Sequence, residues 1–145
     1  MRYPKLIKNL HYHIFNRAAA NRLIFKQDKD YRYFMYKISQ FKKKYEIEIL
    51  VYCIMPNHFH LSLRSDHDPK NISKFLKALQ QSYAIYFNRE YGNKGHVFES
   101  RFTHKPIETN ISLARVKRYI LNNPVRKGLV KKYYEWPYCW INPYL

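Results

Sequence analysis

From His11 to Asn16 the chain places β-forming residues on alternating sides, the period-two pattern of a strand. Asp28 to Tyr45 changes period. Tyr31, Phe34, Met35, Ile38 and Phe41 recur at helical spacing, with Lys37, Lys42, Lys43 and Lys44 mostly off that stripe, so an amphipathic helix with a basic back is predicted. Glu46 to Ile54 is rich in apolar and β-branched residues, Met55-Pro56-Asn57 is a turn signal, and His58 to Arg64 alternates again. These segments predict a hairpin. A second helix is expected from Asp68-Pro69, through Ile72, Phe75, Leu76, Leu79, Tyr83, Tyr86 and Phe87, to a stop at Tyr91-Gly92. Val97 to Pro106 reads as a fourth strand, and Thr109 to Asn123 as a third helix ended by Pro124 and Gly128.

The order β-α-β-β-α-β-α predicts an α+β, ferredoxin-like fold: a four-stranded antiparallel sheet, helices on one face, an extra C-terminal helix, and a sheet face left for function. No Pro/Gly/Ser linker or internal repeat divides the chain, so one domain is expected over residues 1–145. The aromatic, Pro-rich tail from Tyr133 to Leu145 is expected to pack back on the body.

Charge sharpens this picture. The chain carries 27 Lys+Arg against 10 Asp+Glu, a formal net charge of +17 spread from Arg2 to Lys132. Such self-repulsion points to a polyanionic partner, with nucleic acid ahead of an anionic membrane surface and acidic small substrates third. Met1 to Leu10 lacks the apolar stretch of a signal peptide, no run approaches the roughly 18 apolar residues of a spanning helix, and Cys53 and Cys139 form no C-x-x-C pair. A cytoplasmic, nucleoid-associated protein without membrane contact is expected.

Candidate chemistry lies at two places. His58 and His60, two apart on a strand, present both imidazoles to one side and could share a divalent cation; two surface histidines on a nucleic-acid-binding sheet would look the same. Tyr119 and Asn123, four apart on the third helix, share a face beside Leu113, Val116 and Ile120. A tyrosine can attack a phosphoryl group and an Asn carbonyl can ligate a metal, but a boundary Tyr with a C-cap Asn fits the same spacing. Zinc is set aside because no second cysteine lies at ligand spacing and Cys139 is remote in sequence. Gly-rich phosphate loops, G-x-S-x-G elbows and deaminase signatures are absent.

Two segments carry a more specific signal. Met55-Pro56-Asn57-His58-Phe59-His60-Leu61 and Arg118-Tyr119-Ile120-Leu121-Asn122-Asn123-Pro124-Val125-Arg126-Lys127-Gly128-Leu129-Val130 resemble the signatures of single-tyrosine HUH transposases, in particular the REP-associated tyrosine transposases. Tyr12 to Arg17, Tyr86 to Gly92 and Gly95 to Phe102 extend the similarity over roughly residues 12–130. The resemblance implies the same ferredoxin-like fold, with His58, His60 and Asn123 as ligands of Mg²⁺ or Mn²⁺ and Tyr119 as nucleophile. It also implies cleavage and rejoining of single-stranded DNA near a hairpin through a 5′-phosphotyrosine bond. Arg17, Asn57, Lys94, Arg101, Lys105, Arg126 and Lys127 are expected to contact DNA, and a homodimer, with Tyr119 serving either subunit's site, is compatible with the pattern.

Three departures stand out: Leu121-Asn122 where the branch often has His-Leu, Ala18 where a Gly is common, and Glu99 in place of a common Gln. They bear on DNA-sequence preference more than on chemistry. The rival reading is a non-catalytic or domesticated nucleic-acid-binding module on the same sheet; the RNP-type sequence of RNA-recognition sheets is absent.

Overall fold

The structure is a computed structural model and describes residues 5–145. Met1–Pro4, including the basic Arg2 and part of the stretch expected not to be a signal peptide, lie outside the described residues. Five strands, β1 (His11–Arg17), β2 (Ile47–Met55), β3 (His58–Ser65), β4 (Thr103–Ile107) and β5 (Cys139–Ile141), form one antiparallel sheet in the order β4-β1-β3-β2-β5. The helices are α1 (Asp28–Lys44), α2 (Lys70–Tyr91), α3 (Asn110–Leu121) and a single turn, α4 (Asn123–Arg126). The α+β, ferredoxin-like expectation is met, with a fifth strand added.

Sheet period explains the two cores. Tyr12 and Ile14 of β1 and Phe59, Leu61 and Leu63 of β3 point to one face, where Phe34 and Ile38 of α1 and Phe75, Leu79 and Tyr83 of α2 cover them. Strand β2 is buried on both faces, and a register shift between Ile49 and Val51 lets it serve both. Before the shift Ile49 faces the first core; after it Tyr52 and Ile54 do, while Leu50, Val51, Cys53 and Met55 join Ile120 and Leu121 in a second core on the opposite face. A one-residue bulge is the least change that reassigns faces in this way. Helix α3 therefore packs across the sheet from α1 and α2, with Leu113 and Val116 completing the cluster.

Elsewhere the local chemistry matches the elements. Gln27 and Asp30 form a capping box at the start of α1, and Gly92 ends α2 at φ 61°, a left-handed turn that costs glycine little. Thr109 caps α3 by accepting from the Ser112 N–H at 3.0 Å. Pro106 is tolerated because β4 is an edge strand.

Three expectations need correction. The fourth strand begins at Thr103, not Val97: Glu99 to Phe102 bulge out between the Phe15–Thr103 pair and an isolated Ala18–Phe98 bridge. Asn16 fills the gap in the ladder by donating its carboxamide N–H to the Ser100 carbonyl at 2.8 Å. The third helix stops at Leu121, because Pro124 cannot donate to Ile120 and Asn122 leaves helical geometry at φ −86°, ψ 0°. Asn123 thus begins a separate turn. The tail packs back as expected, but as a strand: β5 pairs with β2, the Trp136 indole N–H donates to the Ile54 carbonyl at 2.9 Å, and Tyr138 stacks on Tyr31 at 3.7 Å. This pairing brings Cys139 opposite Cys53, both as free thiols, so the two cysteines that are remote in sequence are neighbours in space. No helix among the described residues is long and apolar enough to cross a membrane.

Candidate active site

The site is built on the sheet face opposite α1 and α2. Antiparallel register places Phe15 against His60, Arg17 against His58 and His13 against Ser62, and on the far side of β1 places Lys105 against His13. Paired residues share a face, so His13, His58, His60 and Lys105 are gathered by pairing alone. The His13 and His60 rings stack with centroids 5.1 Å apart, and His13 Nε2 lies 2.9 Å from His60 Nδ1. His58 meets His60 edge-on at 5.1 Å.

Helix α3 lays Tyr119 over this cluster. Its ring lies 5.8 Å from that of His60 and 5.9 Å from that of His13, both edge-on, and the residue stays 48% exposed. The Arg126 guanidinium sits 4.0 Å from the Tyr119 ring centroid, a cation–π contact that holds the ring from the α4 side. Asn123 is 2% exposed, and its carboxamide lies close enough to His58 to oppose the loss of the ring's proton. The expected set Tyr119, His58, His60 and Asn123 is brought together, although Asn123 arrives from α4 and not along the face of α3.

All three imidazoles are held neutral at pH 7. Burial pushes His58 down to about 4, with Lys127 adding to the effect and the nearby Asn123 carboxamide opposing it. Burial, then Lys105, lowers His13 to about 4. His60 is pushed well down by burial, and then by His13, His58, Arg126 and Lys127. Neutral imidazole is the form that ligates a metal. Among the described residues no three His, Cys, Asp or Glu side chains could hold a metal ion together, and the buried Asn123 carboxamide beside His58 is the candidate for a third ligand. Two imidazoles and a carboxamide oxygen suit a hard or borderline divalent cation with open positions.

The expected DNA-contact residues separate into groups. Arg17, Asn57 and Lys127 line a cavity of ≈ 810 Å³ beside His58, together with Phe15, Leu23 and Glu99. Arg17 is already paired with Glu99 through two guanidinium contacts. The Asn57 carboxamide faces the protein, donating to Asn21 Oδ1 at 2.9 Å and placing its own oxygen 2.7 Å from His58 Nδ1. Lys105 stands over the Phe15 ring at 5.5 Å, at the site's edge. Lys94, in the loop after α2, and Arg101, against Phe102, do not line the cavity. The residue that sequence reasoning missed is His13. Its period-two relation to Phe15 and Arg17 put it on the right face, but only the β1–β3 register shows that it reaches His60.

Comparison with known proteins now decides the family. The sequence model of the family described as "Transposase IS200 like" matches residues 6–123, most of the chain. The chain belongs to the IS200-like transposase family. It is 25% identical over 128 residues to a Haemophilus influenzae protein provisionally named a REP-associated tyrosine transposase, covering 77% of this chain and 73% of that protein. Among solved structures, a REP-associated tyrosine transposase bound to a REP hairpin superposes with a TM-score of 0.81 at 21% identity, over 96% of this chain and 81% of the other. A crystal structure of a provisionally named transposase from Deinococcus radiodurans gives a TM-score of 0.56 at 16% identity, over 84% of this chain and 97% of that one. The resemblance to REP-associated tyrosine transposases is thereby borne out, and the fold of this family is the fold observed.

Proposed function

We propose that this protein cleaves and rejoins single-stranded DNA beside a hairpin, with Tyr119 as the nucleophile and a 5′-phosphotyrosine as the covalent intermediate. The observation that carries the reading is the placement of an exposed phenol, its ring centroid 5.8 Å from that of His60, above two neutral histidines with the buried Asn123 carboxamide beside His58. His58, His60 and Asn123 would hold Mg²⁺ or Mn²⁺. Such a cation polarises the scissile phosphate and offsets charge that develops on its oxygens.

The remaining work falls to the chain. The Tyr119 oxygen attacks the phosphorus in line, the bond to the 3′ oxygen breaks, the phenolic proton passes to water, and the departing 3′ oxygen takes a proton. Attack of that 3′ hydroxyl on the phosphotyrosine reverses the step, so rejoining requires no nucleotide cofactor. Arg126 keeps the ring over the histidines and, with Lys127 and Lys105, supplies positive charge to the DNA backbone. Because Tyr119 stands beside His60 of its own chain, the reading needs no second copy. Hairpin recognition is supported by the REP hairpin held by the structural relative, and the +17 charge supports a large phosphate component of affinity.

The test is intact-protein mass spectrometry after incubation with Mn²⁺ and single-stranded DNA that carries a hairpin and unpaired flanks. The wild type should gain the mass of one cleaved strand. Tyr119→Phe should fold, bind the hairpin and gain none; adduct formation at the wild-type rate by that variant rejects Tyr119 as nucleophile. His58→Ala and His60→Ala should lose cleavage while keeping most hairpin affinity.

A further inference from the structure

The two histidines are held in the same way although their partners differ. His58 turns Nδ1 toward Asn57 Oδ1 at 2.7 Å, and His60 turns Nδ1 toward His13 Nε2 at 2.9 Å. We propose that His13 and Asn57 are positioning residues, which fix His60 and His58 as the tautomers protonated on Nδ1 and so make Nε2 of each ring, with Asn123 beside His58, the nitrogen that can ligate a cation.

For His58 the hydrogen-bond chain sets the direction. The Asn57 amide N–H donates to Asn21 Oδ1 at 2.9 Å, so its carbonyl oxygen is the atom that faces the ring. An oxygen can only accept, and His58 Nδ1 must therefore carry the proton. The turn that carries Asn57 is itself pinned: its carbonyl accepts from the Ala18 N–H at 2.8 Å, and that of Pro56 accepts from the Ile24 and Phe25 N–H groups at 3.0 Å. Asn57 thus approaches His58 from a fixed backbone.

For His60 the neighbours decide. One of the two facing nitrogens must donate. If His60 were protonated on Nε2, its N–H would add a positive end to a ring already acted on by the Arg126 and Lys127 cations. Donation from His60 Nδ1 to His13 Nε2 avoids the conflict and turns a lone pair toward the cationic side. His13 is kept in place by β1–β3 pairing and by its ring contacts with Phe15 and His60. A metal-binding imidazole whose second nitrogen donates to a fixed partner keeps its orientation and gains basicity.

The outward half of this inference rests on the reading of His58 and His60 as metal ligands; the tautomer half does not. The experiment therefore measures both, on the full chain. Long-range proton–nitrogen correlation spectra of the metal-free protein at pH 7.5 read each imidazole's tautomer, and the free-Mn²⁺ electron paramagnetic resonance signal reads Mn²⁺ affinity. In the wild type, His58 and His60 should each appear as a single tautomer protonated on Nδ1. His13→Ala should turn His60 into a tautomer mixture and weaken Mn²⁺ binding by about 10- to 100-fold. His13→Gln, which restores an acceptor, should recover most of both. Asn57→Ala should do to His58 what His13→Ala does to His60. Far-ultraviolet circular dichroism reports that each variant is folded, and for the two His13 variants hairpin affinity without metal should also stay within about twofold, since phosphate contacts dominate it.

A wild-type His60 protonated on Nε2 overturns the proposal, as does a His13→Ala protein with unchanged tautomers and unchanged Mn²⁺ affinity. If the tautomers are as stated and the wild type retains no Mn²⁺, the positioning role stands and the metal reading of the preceding subsection falls.

Discussion

Replacing Glu99 by Gln tests how the cleft beside His58 handles phosphate. Arg17 donates to both carboxylate oxygens of Glu99, through Nε to Oε2 and through Nη2 to Oε1, the latter at 3.0 Å. The pair is exposed and lines the cavity that also contains His58 and Lys127. An incoming phosphate therefore meets a guanidinium whose charge is already answered. Glu99→Gln removes the competing anion and keeps the shape, so Arg17 becomes available to DNA. Each phosphate neutralised steepens the slope of log K against log salt by about 0.7 on single strands and about 0.9 on duplex. One added contact should therefore increase the affinity lost between about 50 and 200 mM salt by roughly threefold. Fluorescence anisotropy of a labelled hairpin with single-stranded flanks, titrated across that salt range, measures the slope directly. Arg17→Ala should change the slope little in the wild-type background and abolish the gain in the Glu99→Gln background, a double-mutant cycle that isolates the pair. An unchanged slope in Glu99→Gln refutes the reasoning, because it means that Arg17 does not reach a phosphate even when released.

Three further outcomes follow from the packing. His13 and His58 sit near 4 in the fold against an ordinary 6.5, so below pH 6.5 the unfolded chain takes up protons that the folded chain refuses. Stability should fall as pH drops from 6.5 toward 4, by about 2 kcal/mol per group at pH 5; urea midpoints at pH 8 and pH 5 measure this, and equal midpoints contradict it. Asp30 is fully buried and accepts from the Tyr86 hydroxyl at 2.7 Å, the Tyr91 hydroxyl at 2.5 Å, and the Lys26 and Gln27 N–H groups at 2.9 and 3.0 Å. Asp30→Ala orphans those donors and should cost about 3 kcal/mol or more in urea unfolding, while the adduct formation proposed for Tyr119 should persist in the folded fraction. Tyr138→Ala removes the stack on Tyr31 and the hydrogen bond to Asp28 at 2.7 Å, and should cost about 2 kcal/mol by the same measurement; a loss below about 0.5 kcal/mol would show that the tail is held by its other contacts, the β2 pairing and the Trp136 indole among them.

The sequence reveals those features that depend on period and punctuation. Strands β1 and β3 alternate cleanly, Pro56-Asn57 is the only break between two apolar runs, and Gly92 stops α2, so each was visible without knowledge of partners. Features set by pairing were not. The bulge from Glu99 to Phe102 is hidden because Val97, Phe98 and Phe102 are as apolar as strand residues, yet they anchor a loop in the first core. Strand β5 was obscured by its Pro and aromatic content, and it forms because the free edge of β2 is apolar on both faces. His13 belongs to the same class, since its face could be read but the residue opposite it could not. The family signatures reached Asn123, which spacing alone assigned to a continuous helix.

The interruption at Asn122 explains how one short segment serves two opposed needs. On an uninterrupted helix, residues four apart share a face and a similar environment. Tyr119 and Asn123 do not: one is 48% exposed and the other 2%. A phenol proposed to attack a bulky strand must reach it from outside, so its ring has to remain at the surface. A carboxamide that acts on the His58 ring must stay inside, where the low dielectric strengthens its effect. Pro124 resolves the conflict by ending α3 after Leu121, whose side chain, with that of Ile120, anchors the segment in the second core. The chain then turns Asn123 inward, and α4 runs back far enough for Arg126 to lie on the Tyr119 ring. Its exit is closed by Gly128 at φ 73°, whose N–H donates to the Val125 carbonyl at 3.0 Å. The spacing of Tyr119, Asn123, Pro124 and Arg126 thus encodes a broken helix, and the break separates the exposed phenol from the buried carboxamide.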